Sequence, residues 1–407
     1  MPVKLAIEGG SPIRSTLLPY GHQSVSEEDI AAVNEVLRSD WLTTGKKVGE
    51  FEHAFASVTG AKEAVVVNSG TAALHCAYYA AGIRPGDEVI VPAMTFSATV
   101  NAAVCLGAKP VFCDCEPDTL LIDAEKIEKL ITNKTKAVVA VDYAGQSCDY
   151  DALRKITSEY GLMLMADSCH ALGGNYKGRK VGSLADLNTF SFHPVKPITT
   201  GEGGMITTDS EEMARQMRQF RNHNITSDHR ERQEQGSWAY EMSEPGMNYR
   251  LTDFQCALGM SQLNRLDEWT KRRQEIAQKY DWAFSSLKAI APLKAKSDIS
   301  HAYHLYVIRI NPEYLHADRE KIFQSLRAEN IGANVHYIPV HLLKFYRERF
   351  SAREGLCPAA ELAFRNIITL PLFSSMSDSD AEDVIEAVKK VHDRYLISKE
   401  VRIPSCV

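Results

Sequence analysis

At 407 residues, with 44% hydrophobic and 24% charged side chains, the chain has room for one large and one smaller folded unit, and its composition is that of an ordinary globular protein. A formal net charge of -6 leaves no basic footprint for nucleic acid, and no apolar run is long enough to span a bilayer. Nine scattered cysteines, an odd number without framework spacing, read as reduced thiols and point to a cytoplasmic protein, and Met1–Gly10, with acidic Glu8, shows no signal-peptide core.

Residues 1–25 are irregular, with Pro2, Pro12 and Pro19. The spacing from Glu27 to Ser39 predicts a helix capped by Ser26, and Gly49–Thr59 a second, stopped by Gly60. A regular alternation then begins. Strands are predicted at Ala64–Val67, Glu88–Val91, Pro110–Cys113, Ala137–Val141, Leu162–Ala166, Thr189–Phe192 and Met205–Thr208. Helices are predicted from Thr71, through Ala98 to Leu106, near Ala124–Ile131, and over Tyr150–Tyr160. Continuous apolar strands alternating with helices predict an α/β unit built on a seven-stranded, mainly parallel sheet covered on both faces. Cys113 and Cys115 flank Asp114, but strand alternation and the lack of a second ligand pair argue against a metal site.

A charged, irregular segment at 223–249 is too long for a simple connection, and its Trp238, Tyr240 and Met242 favour a loop that packs on something. A long helix is predicted from Thr252 to about Leu287, a strand over His301–Ile310, and helices over Asp318–Glu329 and Ser377–Arg394. This mixture predicts a smaller α+β unit at the C-terminal end. The expected division is an N-terminal segment at 1–60, a large unit at 61–270 and a small one at 271–407.

Chemistry gathers at the predicted carboxyl ends of the strands, where open α/β sheets present ligands. Ser69-Gly70-Thr71 joins a strand to a helix N-terminus, so its backbone N–H groups and the Thr71 hydroxyl can hold a phosphate; a plain capped turn is the bland alternative. Phe96 ends a strand and can stack on a flat ring, or simply fill the core. A buried apolar strand ends in Asp167, whose carboxylate needs a cation or strong donors, and a protonated pyridine nitrogen is such a cation. A glycine-rich turn then carries Lys196, with Ser191 beside it, and a poorly solvated lysine serves as amine nucleophile and proton shuttle. Each part is weak alone. In this order they form a kit for pyridoxal phosphate.

The stretches SGTAALH (69–75), PGDEVIVPAMTFSAT (85–99), ADSCHALGGNYKGRKVGSLAD (166–186), FSFHPVKPITTGEGG (190–204) and NYRLTDFQCALGMSQL (248–263) resemble the DegT/DnrJ/EryC/StrS family of sugar aminotransferases, of fold type I among pyridoxal-phosphate enzymes. The resemblance implies Lys196 as the lysine that binds the cofactor aldehyde, Asp167 on the pyridine nitrogen, Phe96 stacked on the ring and His170 near the ring hydroxyl. It also implies Gly70, Thr71 and Ser191 on the phosphate, and a homodimer with shared active sites, in which Asn248 matches the position that reaches the partner's phosphate. Some relatives replace the lysine by histidine and dehydrate sugars; Lys196 favours transamination here.

Within the family, residues 20–30, 39–45, 236–242 and 336–341 resemble the pseudaminic acid branch. That likeness implies a UDP-linked 4-keto-6-deoxy-N-acetylhexosamine as substrate and L-glutamate as amino donor. Arg250 and His336 are candidate substrate contacts; Arg230 and Arg232 read more simply as solvated surface charge. A bacillosamine-type or aminoarabinose-type C4 aminotransferase, or a cofactor-binding regulator, are the alternatives.

Overall fold

The computed structural model describes residues 4–227, 232 and 236–397. Helices α1 (Glu27–Leu37) and α2 (Lys46–Thr59) lead into strand β1 (Glu63–Val67) and α3 (Gly70–Ala80). Next come β2 (Glu88–Pro92), α4 (Ser97–Cys105), β3 (Lys109–Cys113), β4 (Thr135–Val141), α5 (Tyr150–Glu159) and β5 (Met163–Asp167). A short hairpin, β6 (Asn175–Tyr176) and β7 (Arg179–Lys180), precedes β8 (Leu187–Ser191), β9 (Gly204–Thr208) and α6 (Glu211–Phe220). The expected helix near Ala124–Ile131 is instead two single 3-10 turns, Ala124–Lys126 and Glu128–Leu130. Helix α6 went unanticipated, although Ser210 caps it and its Ala214, Met217 and Phe220 are buried on one face.

The seven strands pair in the order β1-β9-β8-β5-β4-β2-β3. All neighbours are parallel except β9, which runs antiparallel to β1 and β8. The sheet is mainly parallel, as the continuous apolar runs predicted: every residue of β2 is buried, as are four of five in β1 and β5. Full burial of each valine or isoleucine in these strands contributes roughly 1.5–3 kcal/mol.

Register places the site. Val141 pairs with Asp167 and Asp167 with Thr189, so β4 and β5 end level and β8 carries on past them to Ser191. Gly204, at the start of antiparallel β9, pairs with both Ser191 and Val67. The turn after β1 therefore lies at the same edge of the sheet as Asp167 and Ser191. Gly204 is required there: a Cβ on it would stand 2.4 Å from the Ser69 carbonyl oxygen.

The predicted long helix from Thr252 is two helices, α7 (Asp253–Leu263) and α8 (Leu266–Phe284). Asn264 and Arg265 separate them, while Leu263 and Leu266 on either side are both buried. No proline or glycine marks the break, so the apolar period read through it. Strand β10 (Ile290–Pro292), β12 (Tyr306–Ile310) and β13 (Ile367–Leu370) make a separate antiparallel sheet, and the two-residue β11 (Ile299–Ser300) pairs with β6. The strand expected from His301 thus begins only at Tyr306. Helices at Arg319–Ala328 and Asp378–Tyr395 lie close to their predicted bounds. One apolar cluster surrounds the large sheet, and a second gathers Leu5, Leu18, Ile276, Tyr280, Ile308 and Val388. No described helix is long and apolar enough to cross a membrane.

The 223–249 segment folds back on itself through the bridges Asn222–Asn248 and Ile225–Met242. Trp238 is 88% exposed, and Tyr240 and Met242 are each 57% exposed. Within the single chain these side chains are largely uncovered, apart from Tyr240, which meets the Arg232 guanidinium.

Candidate active site

A cavity of about 440 Å³ opens at the carboxyl ends of β4, β5 and β8. Eight of the residues singled out from the sequence line it: Gly70, Thr71, Phe96, Asp167, His170, Ser191, Lys196 and His336.

Lys196 sits on the turn after β8, where its backbone N–H donates to the His193 carbonyl at 2.9 Å. Its Nζ lies 3.5 Å from His304 Nε2. Desolvation by burial lowers the amine from its ordinary value, against the opposing pull of Cys169 and Asp167.

Asp167 closes β5 and is 7% exposed. Its carboxylate accepts the Thr99 hydroxyl at 2.6 Å and the Cys169 backbone N–H at 3.2 Å. Both donors are neutral, so they orient the carboxylate without cancelling its charge. The acid remains a match for a cation placed in the cavity.

His170, three residues on, accepts the Ala144 backbone N–H on Nδ1 at 3.3 Å. The imidazole proton is therefore assigned to Nε2, which faces the Tyr337 hydroxyl at 3.0 Å. Burial, with the nearby charges of Lys196 and His336, pushes the imidazole well below its ordinary pKa and keeps it neutral.

Ser69 caps α3 by accepting the Ala72 N–H at 3.0 Å. The N–H groups of Gly70 and Thr71, at the head of the helix, have no partner within it by helix geometry. A Cβ on Gly70 would stand 2.8 Å from Ser191 Cβ, so glycine lets the helix head close on the serine hydroxyl. Bare amides, a hydroxyl and a helix N-terminus suit a phosphate. Phe96, 57% exposed, stands on the rim, with its ring centroid 5.8 Å from that of Tyr337. A flat ring, a phosphate and a ring cation all find their counterparts here, so the cavity fits pyridoxal phosphate.

His336 also lines the cavity, but both its ring nitrogens are engaged: Nδ1 lies 2.9 Å from Thr369 Oγ1 and Nε2 3.4 Å from Asn334 Nδ2. Burial and the Lys196 charge push it down to about 4.

Arg250 and Asn248 are elsewhere. Arg250 lines a second cavity, of about 430 Å³, with Arg218, Arg221, Arg232 and His223. It donates to Asn222 Oδ1 at 2.6 Å, while Arg218 and Arg221 both pair with Glu52. The Asn248 carbonyl accepts from Asn68 Nδ2 at 3.4 Å. Arg232 packs its guanidinium 5.2 Å from the Tyr240 ring centroid, and Arg230 lies outside the described residues.

The sequence reading missed Thr99, His304 and Tyr337. Thr99 follows Phe96 by three residues, one helical turn along α4, and Tyr337 follows His336 directly. His304 fell inside a run read as strand, and nothing local marked it.

The family model described as DegT/DnrJ/EryC1/StrS aminotransferase family matches residues 23–389. SpsC of Bacillus subtilis, a spore coat polysaccharide biosynthesis protein, is 44% identical over 380 residues, covering 93% of this chain and 98% of that protein. Two solved structures superpose with a TM-score of 0.87. Spr1654 of Streptococcus pneumoniae, named for a sugar aminotransferase and solved in a PLP form, is 35% identical, covering 93% of this chain and 99% of its own. PseC of Helicobacter pylori, an aminotransferase of pseudaminic acid biosynthesis, is 34% identical, covering 93% of this chain and 100% of its own. The architecture is that of the fold type I aminotransferases.

Proposed function

The chain belongs to the DegT/DnrJ/EryC1/StrS aminotransferase family, and from that premise we propose that it moves an amino group from L-glutamate to C4 of a UDP-linked 4-keto-6-deoxy-N-acetylhexosamine. The observation that carries the reading is the meeting of Lys196 and Asp167 in one cavity, through the neighbouring ends of β5 and β8.

The cofactor is pyridoxal phosphate, consistent with the PLP form in which Spr1654 was solved. When bound, it supplies an aldehyde that takes up an amino group and a ring that stores the electron pair left when a C–H bond breaks. Asp167, oriented by Thr99 and the Cys169 N–H, would favour a proton on the ring nitrogen by its charge. Lys196 is the amine available to the aldehyde. When free, it takes the proton from the α-carbon of the amino donor and returns it one position along. Its desolvation favours the neutral form that this work needs. Gly70, Thr71 and Ser191 would hold the phosphate, Phe96 would stack on the ring, and neutral His170 would serve the ring hydroxyl.

Likeness to PseC supports the sugar assignment, and the relation to SpsC keeps other nucleotide-sugar C4 substrates as the second reading. The placement of Asn248 and Arg250 outside the Lys196 cavity supports a homodimer in which that pair serves the partner's site. His336 shapes the sugar end from a fixed position. The free cysteines support a cytoplasmic setting. The division into 1–60, 61–270 and 271–407 is part of the same proposal, and limited proteolysis tests it.

The direct test is turnover. Purified protein with pyridoxal phosphate and glutamate is given 4-keto UDP-sugar epimers, and the product is read by NMR. A 4-amino sugar formed with transfer from glutamate supports the reading. Glutamate consumption with no amino sugar from any epimer overturns the substrate assignment.

A further inference from the structure

The histidine beside Lys196 has no place in the reading above. His304 is 5% exposed. Its Nε2 lies 3.5 Å from Lys196 Nζ, and its Nδ1 is buried without a partner. An ammonium can only donate, so Nε2 must accept and the imidazole proton sits on Nδ1.

The position of this ring is built, not incidental. Leu305 N–H donates to the Ala144 carbonyl at 3.1 Å, and Ala302 N–H to the Gly145 carbonyl at 2.8 Å. Gly145 has φ +108, and a Cβ on it would stand 2.7 Å from Tyr303 N and 3.0 Å from His304 N. Only glycine lets the two segments close to this distance. On the other side, buried Arg273 donates to the Tyr303 carbonyl at 3.3 Å and the Leu372 carbonyl at 2.9 Å. The same Ala144 that receives Leu305 also donates to His170, and the His170 and His304 rings stand 4.5 Å apart. Burial first, then the charges of Lys196 and Arg273, push His304 well below its ordinary pKa. The ring thus stays neutral with its Nε2 lone pair available.

We propose that His304 is a positioning residue for Lys196: its Nε2 accepts a hydrogen bond from the Lys196 amine and fixes Nζ where the lysine takes and returns its proton. This rests on the reading of Lys196 as the amine that serves the cofactor. His304 itself exchanges no proton. It steadies the charged form once the lysine has gained a proton.

The test uses the full chain with three proteins: wild type, His304→Phe, which keeps an aromatic ring without an acceptor, and His304→Gln, whose amide oxygen restores one. In cofactor-free protein, the pH dependence of Lys196 labelling by trinitrobenzenesulfonate, read by peptide mass, reports the amine pKa. Loss of the acceptor should move the midpoint to lower pH in H304F, with H304Q near wild type. In loaded protein, the single-turnover glutamate half-reaction should slow at saturation by about tenfold or more in H304F, with glutamate affinity little changed and partial recovery in H304Q. Should H304F fail to fold, His304→Ala replaces it in the same comparison. An unmoved midpoint together with an unmoved half-reaction overturns the proposal, as does equal loss in the Phe and Gln variants. Failure of the wild type itself to load pyridoxal phosphate on Lys196 overturns the functional reading instead, so the two are distinguished.

Discussion

Thr99 on α4 donates its hydroxyl to Asp167 at the end of β5, at 2.6 Å, and a second hydroxyl, Thr95 Oγ1, stands 2.7 Å from Thr99 Oγ1. The acid is thereby aimed by a helix that starts immediately after Phe96. The proposed ring-stacking residue and the donor to the proposed ring-nitrogen partner thus sit at the head of one short element, so movement of α4 would shift both.

Thr99→Val keeps the shape and removes the donor. A buried carboxylate that loses one of two protein donors should destabilise the cofactor-free protein by about 1–3 kcal/mol. Denaturant unfolding measures this, and an unchanged midpoint would show that the hydroxyl is not holding the acid.

Lys196→Ala should abolish aminotransfer while leaving the fold intact, since among the described residues Nζ makes one hydrogen bond, to His304. Asp167→Asn should still bind cofactor but slow turnover by roughly a hundredfold or more, because an amide cannot hold the ring nitrogen protonated. Visible absorbance and initial rates check both variants. Wild-type rates in either would refute the assigned roles.

Gly70→Ala places a methyl 2.8 Å from Ser191 Cβ, an atom fixed directly to the backbone. Overpacking of this kind costs about 1–3 kcal/mol. The variant should lose affinity for inorganic phosphate and for pyridoxal phosphate together, as measured by equilibrium dialysis. Loss of only the second would place the phosphate elsewhere.

Acid should weaken the fold through its buried histidines. Burial first, then the Lys196 charge, lowers His336 to about 4, so the unfolded chain takes up a proton that the folded chain refuses. Stability is therefore complete above the ordinary histidine value, about 6.5, and falls as pH drops towards 4. His170, His301 and His304 are shifted in the same direction and add to the slope. His336→Gln should reduce the proton uptake on unfolding by up to one in this window. Urea midpoints between pH 4 and 7 measure it, and an identical slope in the variant would exclude His336 from the effect.

Buried Glu361 offers a contrast. Desolvation pushes its carboxyl up, but the N–H groups of Gly355 and Cys357 and the ring of His341 outweigh that and hold it below its ordinary value. Its contribution is present above the ordinary glutamate range and disappears at lower pH than the histidine effect. Glu361→Ala should leave the buried His341 Nε2 and the Gly355 and Cys357 N–H groups without their acceptor and cost about 1–3 kcal/mol, read from urea unfolding at neutral pH.

Much of the architecture was legible because local physics dictated it. Unbroken apolar runs such as Val65–Val67 and Val89–Val91 must be buried on both faces, and the strand-turn-helix punctuation at Ser69-Gly70 and the strand end at Asp167-Ser168 pointed to where a ligand would be met. The order of Thr71, Phe96, Asp167 and Lys196 along the chain sufficed to name the cofactor. Less legible were features without a local signal. The break at Asn264-Arg265 has no breaker residue, the single turns at 124–130 imitate a helix in period, and Trp238 looked like packing material but stands in the open.

The sequence by itself determined the sheet, the cofactor kit and the family, because each depends on residue type and spacing within a few turns of chain. Only the tertiary structure decided which partners surround those residues. Pairing of Gly204 with both Val67 and Ser191 brings the phosphate turn to the lysine turn, across well over a hundred residues of chain. The same folding sets Thr99 on Asp167, Tyr337 on His170 and His304 on Lys196, and sends Arg250 into a different cavity. Contacts of that range are fixed by strand register and by close backbone approach at residues such as Gly145, which no periodicity in one chain records.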